Sequence, residues 1–105
     1  MIVEIVTFTK SGDVSNEDIM EDARSVTDHW RSNPELLRKH FIKGRDGSLG
    51  GIYVWPNEEA ARQAHDDAWL ERFRERTGTS PTITYFDLFM LIDNEAGTVS
   101  EFPLT

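Results

Sequence analysis

At 105 residues the chain has the length of one domain, expected to span residues 1–105, and a core of that size holds without covalent staples. Nineteen acidic residues against 11 Lys and Arg leave a formal charge of −8, which argues against a nucleic-acid or anionic-membrane partner, since both demand a basic face. There is no cysteine, so disulfides, thiolate metal sites and cysteine nucleophiles are excluded together. Met1 runs directly into Ile2-Val3-Glu4-Ile5-Val6 with no basic leader and no long apolar stretch, so neither a signal peptide nor a membrane span is expected and the location follows as cytoplasmic.

Residues 2–9 are almost all β-branched or aromatic and end at the turn-rich Lys10-Ser11-Gly12-Asp13, which predicts a first strand. Ser15 or Asn16 can cap a following helix whose first turn carries Glu17 and Asp18, acids favoured at that end of the helix dipole. Ile19, Ala23, Val26 and Trp30 recur on one helical face, and Asn33-Pro34 ends the helix. Residues 36–43 and Leu49–Trp55 then read as two strands of a hairpin around Asp46-Gly47, a pair that accepts positive φ. Gly50-Gly51 inside a strand marks a bulge or a place of close approach, because glycine otherwise weakens strands.

Pro56 closes that strand and Asn57 can cap a second helix with a small-residue stripe at Ala60, Ala61, Ala64 and Ala68. Asp66 or Asp67 can cap the chain again, so a kink is expected near His65, then a further helical piece through Trp69, Phe73 and Arg76 with Gly78 as its C-cap. His65 reads as a helix-surface residue and Trp69 as packing over the sheet. Residues 82–92 form the longest β-type run, apolar on both parities, which predicts one strand buried on both sides. Asp93–Gly97 breaks it and leaves a tail to Thr105 free to pack or swap onto a partner. The order β, α, β, β, α, β is the split βαβ arrangement of α+β, ferredoxin-like folds, a four-stranded antiparallel sheet with helices on one face. The other apolar face is most simply covered by a second copy, so a homodimer is expected.

Three segments, Asn33-Pro34-Glu35-Leu36-Leu37-Arg38-Lys39, Leu49-Gly50-Gly51-Ile52-Tyr53-Val54-Trp55 and Tyr85-Phe86-Asp87, are similar to those of a known group. In element order over nearly its whole length the chain resembles the YdhR-type monooxygenases of the dimeric α+β barrel superfamily, small relatives of the antibiotic-biosynthesis monooxygenases. Those relatives usually carry Pro-Gly ahead of the second strand where this chain has Pro34-Glu35. The resemblance implies sheet-to-sheet dimers with a pocket between sheet and helices in each protomer. It also implies oxygenation of a small, electron-rich aromatic or quinone-like compound with no flavin or metal cofactor. For such chemistry the protein supplies a base and stabilisation of the resulting anion. Haem degradation fits less well, since that branch uses an Asn on the first strand and a His after the helix Trp, and neither stands here.

Candidate site residues follow from chemistry and strand parity. His40 can act as a base or hold an oxyanion, Arg38 shares its strand face, and Asp87 is a carboxylate in an apolar strand, either paired with an Arg or Lys across the dimer interface or raised in pKa and acting as an acid or base. These make His40 and Asp87 the catalytic candidates. Tyr53 and Trp55 share a face beside Gly51 as an aromatic wall for a flat ligand, and Trp30 can close that pocket. Arg38, Trp30, Tyr53 and Trp55 are thus the ligand-binding candidates. No metal site is expected, because His29, His40 and His65 fall on three elements. The alternative function is a non-catalytic dimeric protein that binds a small ligand.

Overall fold

A computed structural model describes residues 1–10 and 12–104; Ser11 of the expected first turn and Thr105 at the end of the tail lie outside the described residues. The chain runs β1 (Ile2–Phe8), α1 (Asn16–Ser25), α2 (Thr27–Arg31), β2 (Arg38–Lys43), β3 (Leu49–Trp55), α3 (Glu58–Ala64), α4 (Asp67–Thr77), β4 (Thr82–Asp87), β5 (Met90–Asp93) and β6 (Thr98–Glu101). Strands β2-β3-β1-β4 form a four-stranded sheet in which every neighbouring pair is antiparallel. This is the ferredoxin-like α+β fold.

Local chemistry sets the helix ends. Ser15 Oγ accepts from the Asp18 N–H while the Asp18 carboxylate accepts from the Ser15 N–H, a reciprocal capping box that starts α1. The expected single helix through Trp30 is instead two, divided at Val26. Near the division the Ser25 and Thr27 hydroxyls donate to the carbonyls of Asp22 and Ala23, competing for helix acceptors as such residues do. Asn57 Oδ1 accepts from the Ala60 N–H and Asp66 Oδ1 from the Trp69 N–H, so the kink at His65 is a helix end and a fresh start. Ala60 and Ala61 are buried against the sheet, whereas Ala68 falls beyond the kink and is exposed. Gly78 ends α4 in the left-handed region at φ 77°, where a side chain would be strained.

The core lies between sheet and helices and is built from Ile2, Val6, Tyr53 and Trp55 on the strands and Trp30, Ala60 and Ala61 on the helices. Gly50 has a steric cause: a Cβ there would collide with the Val6 carbonyl oxygen of the adjacent strand. The expected strand over residues 82–92 is corrected. Pairing with β1 runs out at Ile2↔Asp87, and the Leu88 N–H makes a last bond to the Met1 carbonyl, at 2.9 Å. With no partner left in the sheet, the chain turns away and β5 pairs with β6 as a separate hairpin. Burial on both sides does not hold within the protomer either, since Phe89 is 56% and Ile92 63% exposed. Among the described residues, no helix is long and apolar enough to cross a membrane.

Candidate functional site

Strand parity decides what faces the helices. Register sets Lys39 opposite Tyr53, Tyr53 opposite Glu4 and Glu4 opposite Tyr85, so this row crosses the sheet on its helix-facing side. Between the sheet and α1, α2 and α4 lies a cavity of about 300 Å³. Its floor is Val6, Gly51, Tyr53, Lys39 and Phe41, and its roof includes Ile19, Val26, Trp30, Trp69 and Phe73. A Cβ on Gly51 would sit 3.0 Å from Tyr53 Cε1 and 3.4 Å from Lys39 Cε, so the missing side chain makes room for both groups. Asp22 of α1 and Arg76 of α4 line the cavity and form an ion pair between these helices, each about 40% exposed.

Lys39 carries the most unusual group here. Its Nζ lies 4.3 Å from the centroid of the Trp30 ring, 4.1 Å from Phe41 and 4.5 Å from Tyr53. Among the described residues Nζ has neither an ion-pair nor a hydrogen-bond partner. Burial, reinforced by the nearby Arg76 charge, pushes the Lys39 amine down from 10.5 to about 7, with Asp22 and Glu4 pulling it back in part. The three ring faces also favour the ammonium form, so both protonation states are accessible near neutral pH. Asp18, His29 and Arg72 are the other titratable or charged groups around the same cavity, with Lys10 at its edge.

Beside the aromatic floor, on the same face of the sheet, is a buried polar network. Glu4 is 0% exposed, and its Oε1 accepts from Trp55 Nε1–H at 2.9 Å. His65 Nδ1 lies 2.9 Å from the same oxygen, both side chains fully enclosed. The ring is turned off the hydrogen-bond line, so this is a close polar contact rather than an aligned bond; Nε2 and Glu4 Oε2 have no partner among the described residues. The His65 ring is packed among Tyr53, Trp30 and Trp69, with centroids 4.7, 5.2 and 4.4 Å away. Burial and then the Glu4 charge push the Tyr53 hydroxyl far above its ordinary range, so Tyr53 stays a neutral phenol.

Of the residues singled out from sequence, Trp30 and Tyr53 lie on the cavity wall. Trp55 shares their side of the sheet but is fully buried in the core away from the cavity wall, its indole engaged by Glu4. Arg38 and His40 pair with Val54 and Ile52 on the opposite face and are exposed; they do not meet the cavity. Asp87 is exposed at the end of β4 within this chain. It has no ion pair among the described residues. His65, expected at a helix surface, is instead core. Sequence reasoning missed Lys39, Glu4 and His65, although Glu4 at the inward parity between Ile2 and Val6 was a legible sign of a buried carboxylate in need of a partner.

No protein-family model matches the chain, and no curated protein matches it significantly. Solved structures share its fold. A monooxygenase of Streptomyces coelicolor, ActVA-Orf6, solved in complex with the ligand nanaomycin D, superposes with a TM-score of 0.65 at 22% identity, covering 87% of this chain and 89% of that one. SnoaB, a cofactor-independent oxygenase from Streptomyces nogalater, gives 0.61 at 18%, covering 83% and 91%. An antibiotic biosynthesis monooxygenase gives 0.61 at 16%, covering 84% and 98%. The fold is therefore that of antibiotic-biosynthesis-monooxygenase-like proteins.

Proposed function

We propose that this cavity takes a small electron-rich aromatic compound, phenolic or hydroquinone-like, and promotes its oxygenation without a cofactor, as a YdhR-type monooxygenase. The observation that carries the reading is an amine held within an aromatic cavity at a protonation balance near neutrality. The fold shared with oxygenases, one of them solved with nanaomycin D and one described as cofactor-independent, supports it. Trp30 and Tyr53 form the wall against which a flat ring stacks. Uncharged Lys39 accepts the acidic proton of the substrate, and the ammonium so formed holds the anion. The electron-rich anion then reacts with oxygen itself: one oxygen atom bonds to a ring carbon, which becomes a quinone carbonyl, and the other leaves as water with that carbon's hydrogen and the hydroxyl proton returned by Lys39. Arg38, His40 and Asp87 lie outside the cavity and take no part in this step.

Oxygen uptake with a panel of hydroquinones and anthrone-like compounds tests the reading. Uptake is expected to exceed the buffer rate, to rise with pH through about 7 as Lys39 loses its proton, and to fall on the order of 100-fold in a folded Lys39→Met variant. A native protein no faster than buffer across the panel would refute it.

On the same reading a second copy covers the open sheet face and the β5–β6 hairpin, where Phe86, Phe89, Met90, Leu91, Ile92 and Val99 are exposed together. So large an apolar surface is rarely left wet. Sedimentation is expected to give twice the chain mass, and Ile92→Asp to shift it toward the monomer; a native monomer at working concentrations would overturn this part.

A further inference from the structure

Lys39 does not look like a lysine placed to make a salt bridge. Such a residue has a carboxylate at ion-pair distance, and among the described residues this one has none, Asp22 and Glu4 acting on it only from farther off. Its stem instead passes beside Gly51, and its amine ends among three aromatic rings at the cavity floor. The other two lysines, Lys10 and Lys43, lack that aromatic cage: Lys43 is exposed on the sheet edge and donates to Asn16 Oδ1 at 2.9 Å, and Lys10, half-buried beyond the end of β1, stands only at the edge of the same cavity. A desolvated amine beside a second cation, here Arg76, is the setting in which lysine becomes a nucleophile rather than a counter-ion.

We propose that Lys39 is a covalent site for aromatic carbonyl compounds, its ε-amine condensing with a small aldehyde lodged in the cavity to form an imine. The nitrogen bonds to the carbonyl carbon, the carbon–oxygen bond breaks, and both amine hydrogens leave with that oxygen as water. Trp30, Tyr53 and Phe41 give the class of partner. They surround the nitrogen with ring faces, so an aryl aldehyde stacks as its carbonyl carbon reaches Nζ. An aliphatic aldehyde finds no such registry. The inference goes beyond the oxygenase reading and does not need it, since a carbonyl compound is captured here whether or not the cavity activates oxygen.

The test is reductive trapping. The intact protein is treated at about pH 7 with 4-hydroxybenzaldehyde and sodium cyanoborohydride, then digested, and each lysine adduct is quantified by mass spectrometry. Lys10 and Lys43 have no aromatic cage around the amine, so the adduct at Lys39 is expected to exceed those at Lys10 and Lys43 by about tenfold or more. Acetaldehyde is expected to lose most of that preference. Repeating the reaction in urea is expected to bring the three lysines to similar labelling, which ties the selectivity to the folded cavity without relying on a variant. Equal labelling of all three lysines in the folded protein, or a preference for Lys10 or Lys43, would overturn the proposal. So would a preference for Lys39 that survives in urea. Because the readout is an adduct and not oxygen uptake, failure here leaves the oxygenase reading standing, and the reverse also holds.

Discussion

In urea titrations, His65→Ala is expected to lower the unfolding free energy by about 3–5 kcal/mol, a large share of the stability of a domain this size. The reason is what the substitution leaves behind. Glu4 is completely enclosed, and without the imidazole it keeps the Trp55 N–H as its one geometrically sound hydrogen bond among the described residues. The space vacated among Tyr53, Trp30 and Trp69 adds the cost of a cavity. Removing both members is expected to hurt less than removing one: Glu4→Leu combined with His65→Leu replaces an enclosed polar pair by apolar volume, which is often close to neutral, at the cost of leaving the Trp55 indole N–H without its acceptor. A single His65→Ala loss below about 1 kcal/mol would show that Glu4 does not depend on this contact.

The second large effect has the opposite sign. Lys39→Met is expected to raise stability near neutral pH by on the order of 3 kcal/mol, while abolishing the proposed chemistry. The folded protein holds the Lys39 amine at about 7 against an ordinary 10.5, so folding opposes its protonation. Below about 7 the amine is charged in both states and the folded state bears the whole penalty. As pH rises from about 7 to 10.5 the penalty fades, because the unfolded chain gives up the proton that the folded one no longer holds. The advantage of the Met variant is therefore expected to be full at about pH 6 and much reduced at about pH 9.5, with cation–π attraction in the native cage trimming it at the low end. An advantage independent of pH would mean that shape, not charge, sets the difference. A stabilising substitution that removes function is the usual mark of a strained site.

Much of the fold was legible because its signals are local. Ser15, Asn57, Asp66 and Gly78 each bear the chemistry of the cap they form, and the glycine pair marked a close approach that the Val6 carbonyl requires. What was not legible depended on distant partners. Residues 82–92 have the composition of one long strand, yet where it ends is set by β1, which has nothing left to pair beyond Ile2. Which side chains of β2 line the cavity turned on parity. In β2, Arg38 and His40 alternate with Lys39 and Phe41, and both sets mix cationic and aromatic character, so composition does not say which set turns toward the helices; only pairing of Lys39 with Tyr53 does. His65 was misjudged for a related reason, since its neighbours in sequence describe a helix surface while its partner, Glu4, lies at the other end of the chain.

The position of β1 in the sheet also bears on how the molecule is made. It is the first strand in the chain and an interior one, flanked by β3 and β4, so its pairing awaits segments translated long after it. Glu4 meets Tyr53 and Tyr85 across these ladders, separations that slow folding through the entropy of closing long loops. Meanwhile the run Ile2-Val3-Glu4-Ile5-Val6 is a β-prone segment with no partner, the kind that associates with other copies of itself. Its one charge is Glu4, which interrupts that apolar run as a gatekeeper while the strand is exposed and, once the sheet closes, becomes the buried carboxylate beside the cavity.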